Sequence, residues 1–136
     1  MKRGPHKRVF PNRYNGLGGH IERDESPSEG VRREIREESG LEVVHLALRG
    51  LVNIDAGAAT GIMLFVYTAQ ALSRDFVASD EGALEWVPLE SAAQKDLVDD
   101  LPLLLPRLFG KGASPSPFAA QVHYDEQDRM VFTFSD

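Results

Sequence analysis

Toward its C-terminal end the chain alternates. Phe118, Ala120, Val122 and Tyr124 form one apolar set, Met130, Phe132 and Phe134 form another, and the polar run DEQD lies between them. A period of two is that of a half-buried strand, so this stretch predicts a terminal β-hairpin. Val43, Val44, Leu46 and Leu48 place a strand over 42–48. The nearly continuous apolar run over 61–69, with the β-formers Ile62, Phe65, Val66 and Tyr67, places another. Leu84 to Val87 reads as a shorter strand ahead of Pro88.

Two segments follow a helical rhythm instead. Leucines at helical spacing behind a prolyl start predict a helix over 99–109. Ser26 and Glu29 form the S-x-x-E pattern of a capping box, with Pro27 at the first helical position, where its missing N–H costs nothing. Gly40 supplies the left-handed residue that follows a last turn, which bounds this helix at 27–39. Asp55 to Thr60 and Lys111 to Pro117 read as loops. Strands interleaved with two helices predict an α/β or α+β fold whose helices cover a mixed sheet.

Size and composition narrow the picture. A chain of 136 residues, 42% hydrophobic and 26% charged, suits a single globular domain spanning 1–136. It has no cysteine, which removes disulfides, thiolate metal sites and cysteine nucleophiles together. The start is charged and interrupted by proline and glycine, unlike a secretory signal, and LPLLLPRLF falls far short of a bilayer span. A cytoplasmic protein without membrane contact is expected. The formal charge of −6 opposes a stable nucleic-acid complex. Residues 1–16 nonetheless carry +5 and the remainder −11, so the start is either a solvated tail or a phosphate-attracting edge.

The candidate chemistry lies on the first helix. Glu34, Glu37 and Glu38 stand at i, i+3 and i+4, within one arc of about 100°. Val31 and Ile35 lie beside that arc, and Arg32, Arg33 and Arg36 are expected to occupy much of the opposite side. Two carboxylates roughly 6 Å apart repel by about 3 kcal/mol at an effective dielectric near 20. A cluster of oxygen donors suits a hard cation, Mg²⁺ above all with Mn²⁺ an alternative, and Zn²⁺ is disfavoured without His or Cys. Magnesium retains waters and bridges carboxylates to substrate phosphates, so the cluster itself suggests phosphoryl chemistry. The competing reading is a solvated helix face laced with ion pairs.

These residues carry a resemblance. The pattern G-x5-E-x7-R-E-U-x-E-E-x-G-U, with U a bulky aliphatic residue, is the Nudix box, and Gly19, Glu25, Arg33, Glu34, Ile35, Glu37, Glu38, Gly40 and Leu41 match it throughout. The chain therefore resembles the Nudix hydrolase family. The resemblance implies an α/β/α sandwich and hydrolysis of a nucleoside diphosphate linked to another group, by water and a divalent metal. It implies that Glu34, Glu37 and Glu38 hold metal with the Gly19 region, that one of them orients or deprotonates water, and that Arg33 braces the loop by pairing with Glu25.

Beyond the box, RYNGLGGHIE resembles the oxidised-purine nucleoside triphosphatases, the 8-oxo-dGTP diphosphatases, which implies that Asn15 touches the purine. KDLVDDLPLLLPRL resembles the segment in which two adjacent aspartates read the base edge, which implies that role for Asp99 and Asp100. A helix N-cap is the alternative for either aspartate. The stretch DEGALEWVP implies Glu81 as a further carboxylate toward the metals, with Glu85 a surface residue. The expected reaction cleaves a purine nucleoside triphosphate, oxidised or not, to the monophosphate and pyrophosphate. ADP-ribose, a nucleotide sugar or a dinucleoside polyphosphate are alternative substrates, and a catalytically weak nucleotide-binding module is an alternative function. Relative to the family, a first N-terminal strand is expected to be lacking, and the unpaired edge this would leave favours a homodimer.

Overall fold

The computed structural model describes residues 1–7, 9–10, 12–80, 82–111 and 113–135. Along the chain run β1 (Lys2–Arg3), α1 (Pro27–Ser39), β2 (Val43–Ile54), β3 (Ile62–Ala71), β4 (Gly82–Ala83), a 3₁₀ helix (Leu89–Gln94), α2 (Leu101–Leu108), β5 (Phe118–Tyr124) and β6 (Met130–Phe134). They divide into two units, one formed by Met1–Leu46 with Ala69–Leu101, the other by Ala47–Thr68 with Pro102–Asp136. The fold is α+β with a mixed sheet. Among the described residues no helix is long and apolar enough to cross a membrane.

In the second unit the strand order is β3-β2-β5-β6. β2 and β5 run parallel from Gly50 opposite Phe118 to Ile54 opposite Val122, and β5 turns back antiparallel into β6. The alternation of the C-terminal segment does what its period requires. Phe118, Ala120 and Val122 are buried together with Val52 of β2 and with Leu104 and Leu108 of α2. Leu104 and Leu108 stand one turn apart and so share the buried stripe, whereas Leu103 is exposed. Truncating Phe118 to alanine would cost about 3–5 kcal/mol. The hairpin turn is shaped by Asp125, whose Oδ1 accepts N–H groups of Gln127 and Arg129 at 2.9 Å each, with Asp128 in the left-handed region at φ 57°.

The boundaries depart from the sequence pattern where tertiary contacts intervene. β2 continues past Leu48 to Ile54 because Val52 joins the core and Gly50 admits the Phe118 ring, which any Cβ at Gly50 would overlap. α2 begins at Leu101, so Asp99 and Asp100 lie in the turn before it. Pro102 falls in its first turn at little cost, while Pro106 removes an interior N–H, and the helix ends two residues later.

In the first unit, β1 pairs antiparallel with β4, Lys2 opposite Ala83 and Arg3 opposite Gly82. Gly82 is needed there, since a Cβ would overlap the Lys2 carbonyl oxygen. The strand expected over Leu84 to Val87 is a correction: the ladder lies at Gly82–Ala83 instead. A two-residue partner cannot extend it, and Pro5 follows soon after β1 without an N–H to donate. The following residues use their polar groups individually. Trp86, 41% exposed, donates its Nε1–H to the Arg74 carbonyl at 2.7 Å, with the Arg74 guanidinium 5.2 Å from its ring.

Candidate active site

α1 is fixed at both ends by the residues that predicted it. The Ser26 hydroxyl accepts the Glu29 N–H at 3.2 Å, and the Glu29 carboxylate accepts the Ser26 N–H at 2.9 Å. At the other end Gly40, with φ 73°, donates its N–H to the Arg36 carbonyl at 2.8 Å. Leu41 and Ser39 are buried, and so is Glu38, at 8% exposure. The helix is therefore anchored along the turn that carries Glu38, and the position of that carboxylate is set by the fold.

Arg33 organises the acids around it. Its Nε donates to both oxygens of Glu25, at 3.2 and 3.0 Å, and its Nη2 donates to Glu25 Oε1 at 2.8 Å and to the His20 carbonyl at 3.0 Å. Its Nη1 donates to Glu34 Oε1 at 3.0 Å and Glu37 Oε2 at 3.1 Å. The Arg33 guanidinium holds the Glu25 carboxyl below the usual carboxylate range, assisted by the Glu22 N–H, and the guanidinium itself is pushed upward chiefly by Glu25. The expectation that Arg33 lies on the opposite side from the acids is corrected. It stands one turn before Glu37, so its fork reaches along the acidic face and offsets the repulsion between Glu34 and Glu37. Arg32 and Arg36 point elsewhere, to the Val43 carbonyl at 2.9 Å and to Glu42 at 2.6 Å.

Glu34, Glu37 and Glu38 line one cleft of about 520 Å³, together with Gly18, Gly19, Ala78, Ser79 and Asp80. Gly19 passes so close to Glu34 that a Cβ there would overlap the carboxylate. Gly30 leaves less room to spare than most residues would need, since a Cβ there would come 3.0 Å from Glu25 Oε1. Asp80 and Ser79 were missed by sequence reasoning. The signal is the pair of consecutive acids in the S-D-E-G run, where the resemblance points to Glu81. Glu81 lies outside the described residues.

The donor set decides which ion would fit this cleft. Four carboxylates among the lining residues, with no cysteine in the chain, suit a hard divalent cation. Among the described residues no three acidic or imidazole groups are already gathered about one point, and Arg33 Nη1 holds one oxygen each of Glu34 and Glu37.

A second cluster involves the other expected contacts. Tyr14 forms main-chain bridges to Lys2 on one side and Leu97 on the other. Its N–H donates to the Asp96 carbonyl at 2.8 Å, and its carbonyl accepts the Val98 N–H at 2.9 Å. These bonds draw the segment of Asn15 alongside that of Asp99 and Asp100. Asn15 Oδ1 accepts the Gly16 N–H at 2.8 Å, which orients its amide. Asp99 Oδ1 accepts from Arg13 Nη1 at 2.9 Å. Burial pushes the Asp100 carboxyl above the ordinary aspartate range and the charge of Asp99 adds to this, while main-chain N–H groups of Asp100 and Leu101 pull it back. Asp100 thus also serves the start of α2. Glu85 is exposed, as expected, and accepts from the Tyr14 hydroxyl at 2.8 Å and from Lys95 Nζ at 2.7 Å. Lys95 and then Tyr14 hold the Glu85 carboxyl down, and Glu85 in turn raises the Tyr14 phenol.

Comparison with known proteins bears on the family and the fold. The NUDIX domain model matches residues 1–108. The oxidized purine nucleoside triphosphate hydrolase of Mus musculus is 28% identical over 130 residues, covering 94% of this chain and 81% of the mouse protein. The crystal structure of the MutT protein from Bacillus halodurans superimposes with a TM-score of 0.73 at 24% identity, over 88% of this chain and 80% of that one, and so shares its fold.

Proposed function

This chain belongs to the NUDIX domain family and is a hydrolase of that family, and we propose that it cleaves a purine nucleoside triphosphate, an oxidised one by preference, to the monophosphate and pyrophosphate. The observation that carries this reading is the one cleft that Glu34, Glu37, Glu38 and Asp80 line together with Gly18 and Gly19. Nudix enzymes generally use divalent metals, and Mg²⁺ is the ion that this all-oxygen set suits, with Mn²⁺ a substitute. Glu34, Glu37 and Glu38 would hold it, with the Gly19 main chain alongside. The ion, when bound, neutralises charge on the phosphate oxygens and so lowers the barrier to their displacement.

The chain's own groups carry the rest of the chemistry. Water attacks phosphorus, the P–O bond to the leaving pyrophosphate breaks with its electron pair, and a carboxylate of the α1 set accepts the water proton. Arg33 keeps that set in register through Glu25, Glu34 and Glu37. Asn15 and the Asp99–Asp100 pair select the base. The similarity to the mouse enzyme supports an oxidised purine as that base.

The test is incubation with a nucleotide panel and Mg²⁺, products resolved by chromatography, beside a reaction containing chelator. Monophosphate and pyrophosphate from purine triphosphates, abolished by chelator, are expected. Release of orthophosphate, turnover confined to ADP-ribose, nucleotide sugars or dinucleoside polyphosphates, or indifference to chelator would each overturn the proposal.

A further inference from the structure

Arg13 lies outside the acidic cleft, yet its guanidinium is committed to one short segment. Nη1 donates to Asp99 Oδ1 at 2.9 Å, Nη2 donates to the Leu97 carbonyl, and Nε lies 3.3 Å from Asp96 Oδ1. The Phe10 ring covers the guanidinium at 5.2 Å. The Arg13 side chain is 28% exposed and that of Asp99 38%, against 73% for Asp96, so the Asp99 contact is the less screened of the two ion pairs. Asp99 raises the Arg13 pKa further above its already high ordinary value, so the cation persists. The main chain repeats the connection through the Tyr14 bridge to Leu97.

Adjacent aspartates are thus treated unequally. Asp99 accepts a guanidinium N–H from Arg13, whereas Asp100 forms no ion pair among the described residues. We propose that Arg13 is a positioning residue for base selection: it commits Asp99 to the framework and leaves Asp100 as the acid of the pair that meets the base. This rests on the reading of the Asn15 and Asp99–Asp100 segments as the purine side of the site. Burial of Asp100 favours its proton-bearing form, which can donate to a purine acceptor as a carboxylate cannot. Lysine at position 13 would be an incomplete substitute, since one ammonium cannot reproduce a planar fork shared by Asp99 and the Leu97 carbonyl.

The experiment measures kcat and KM separately for dGTP, 8-oxo-dGTP, dATP and dCTP with Mg²⁺. The proteins are the unmodified chain, R13K, R13Q, D99N, D100A and the double variant R13Q/D99N, each also melted by calorimetry. R13Q and D99N are each expected to raise KM for purine triphosphates about tenfold with kcat nearly unchanged. The double variant should be no worse than either single change, because both remove the same contact. R13K should recover part of the loss, and D100A, which can neither donate nor accept, should flatten the preference between bases.

Additive losses in R13Q/D99N, or loss of base preference in D99N but not in D100A, would overturn the assignment to Arg13. An equal fall of kcat with every base would reduce Arg13 to a structural role and overturn it too. An unmodified chain without base preference would remove the purine reading itself, and this proposal with it.

Discussion

Gly19 and Glu34 approach so closely that no side chain fits between the glycine backbone and the carboxylate. The glycine lets the loop before α1 pass over a metal-binding candidate on the helix, so the two segments are matched in shape. G19A is therefore expected to displace Glu34 and lower turnover by about a hundredfold or more. Its melting temperature should hardly change. Full activity in G19A would show that Glu34 tolerates displacement.

Glu37 is 59% exposed at its side chain, whereas Glu38 is buried. Replacing either by glutamine conserves shape and removes charge. Each change should lower kcat by about a thousandfold with the circular dichroism spectrum retained. A titration of Mg²⁺ against turnover should show a raised metal requirement as well. Unchanged turnover in both variants would remove these residues from the proposed metal set.

The grip of Arg33 on Glu25 should be visible in acid. The folded-state value of Glu25 is depressed, so the pair contributes stability above the ordinary glutamate value of about 4.3, and that contribution disappears as pH falls through the folded value. E25Q should melt below the unmodified protein at pH 7, and the two should converge in strong acid. A constant gap across the pH range would mean that Glu25 acts by shape alone.

Asp100 carries the opposite sign. Its folded-state value is raised, so the folded chain holds the proton more tightly than the unfolded one, and stability declines as pH rises between the two values. D100N should melt above the unmodified protein at neutral pH and level with it near pH 3, since asparagine also serves a helix start. A lower melting temperature for D100N at neutral pH would mean that the bond from the Leu101 N–H outweighs burial.

What the sequence disclosed, and what it withheld, follows from the range of the forces involved. α1 was legible to the residue because Ser26, Glu29 and Gly40 act on their own neighbours. The β5–β6 hairpin was legible because a period of two and one acidic turn define it. β4 and the full length of β2 were not, since each depends on a distant partner, the two residues of β1 in one case and Phe118 in the other. The same division holds within the site. The three glutamates share a face through helical spacing alone, whereas the approach of Asp80 and the latch from Arg13 to Asp99 require long stretches of chain to close. Arg33 was misplaced for a subtler reason: helix position fixes its Cβ, but its long side chain reaches back along the acids.

Trp86 is the chain's single tryptophan, and it is tied to Arg74 within the first unit. Excited at the long-wavelength edge, where the Tyr67 and Tyr124 rings of the other unit do not absorb, its fluorescence is thus an intrinsic optical probe of the unit that carries the carboxylate cleft. Comparing the emission curve on heating with the heat-capacity trace, which registers both units, reads their cooperativity without a label. Coincident midpoints mean one shared transition, and separated midpoints mean that each unit melts on its own.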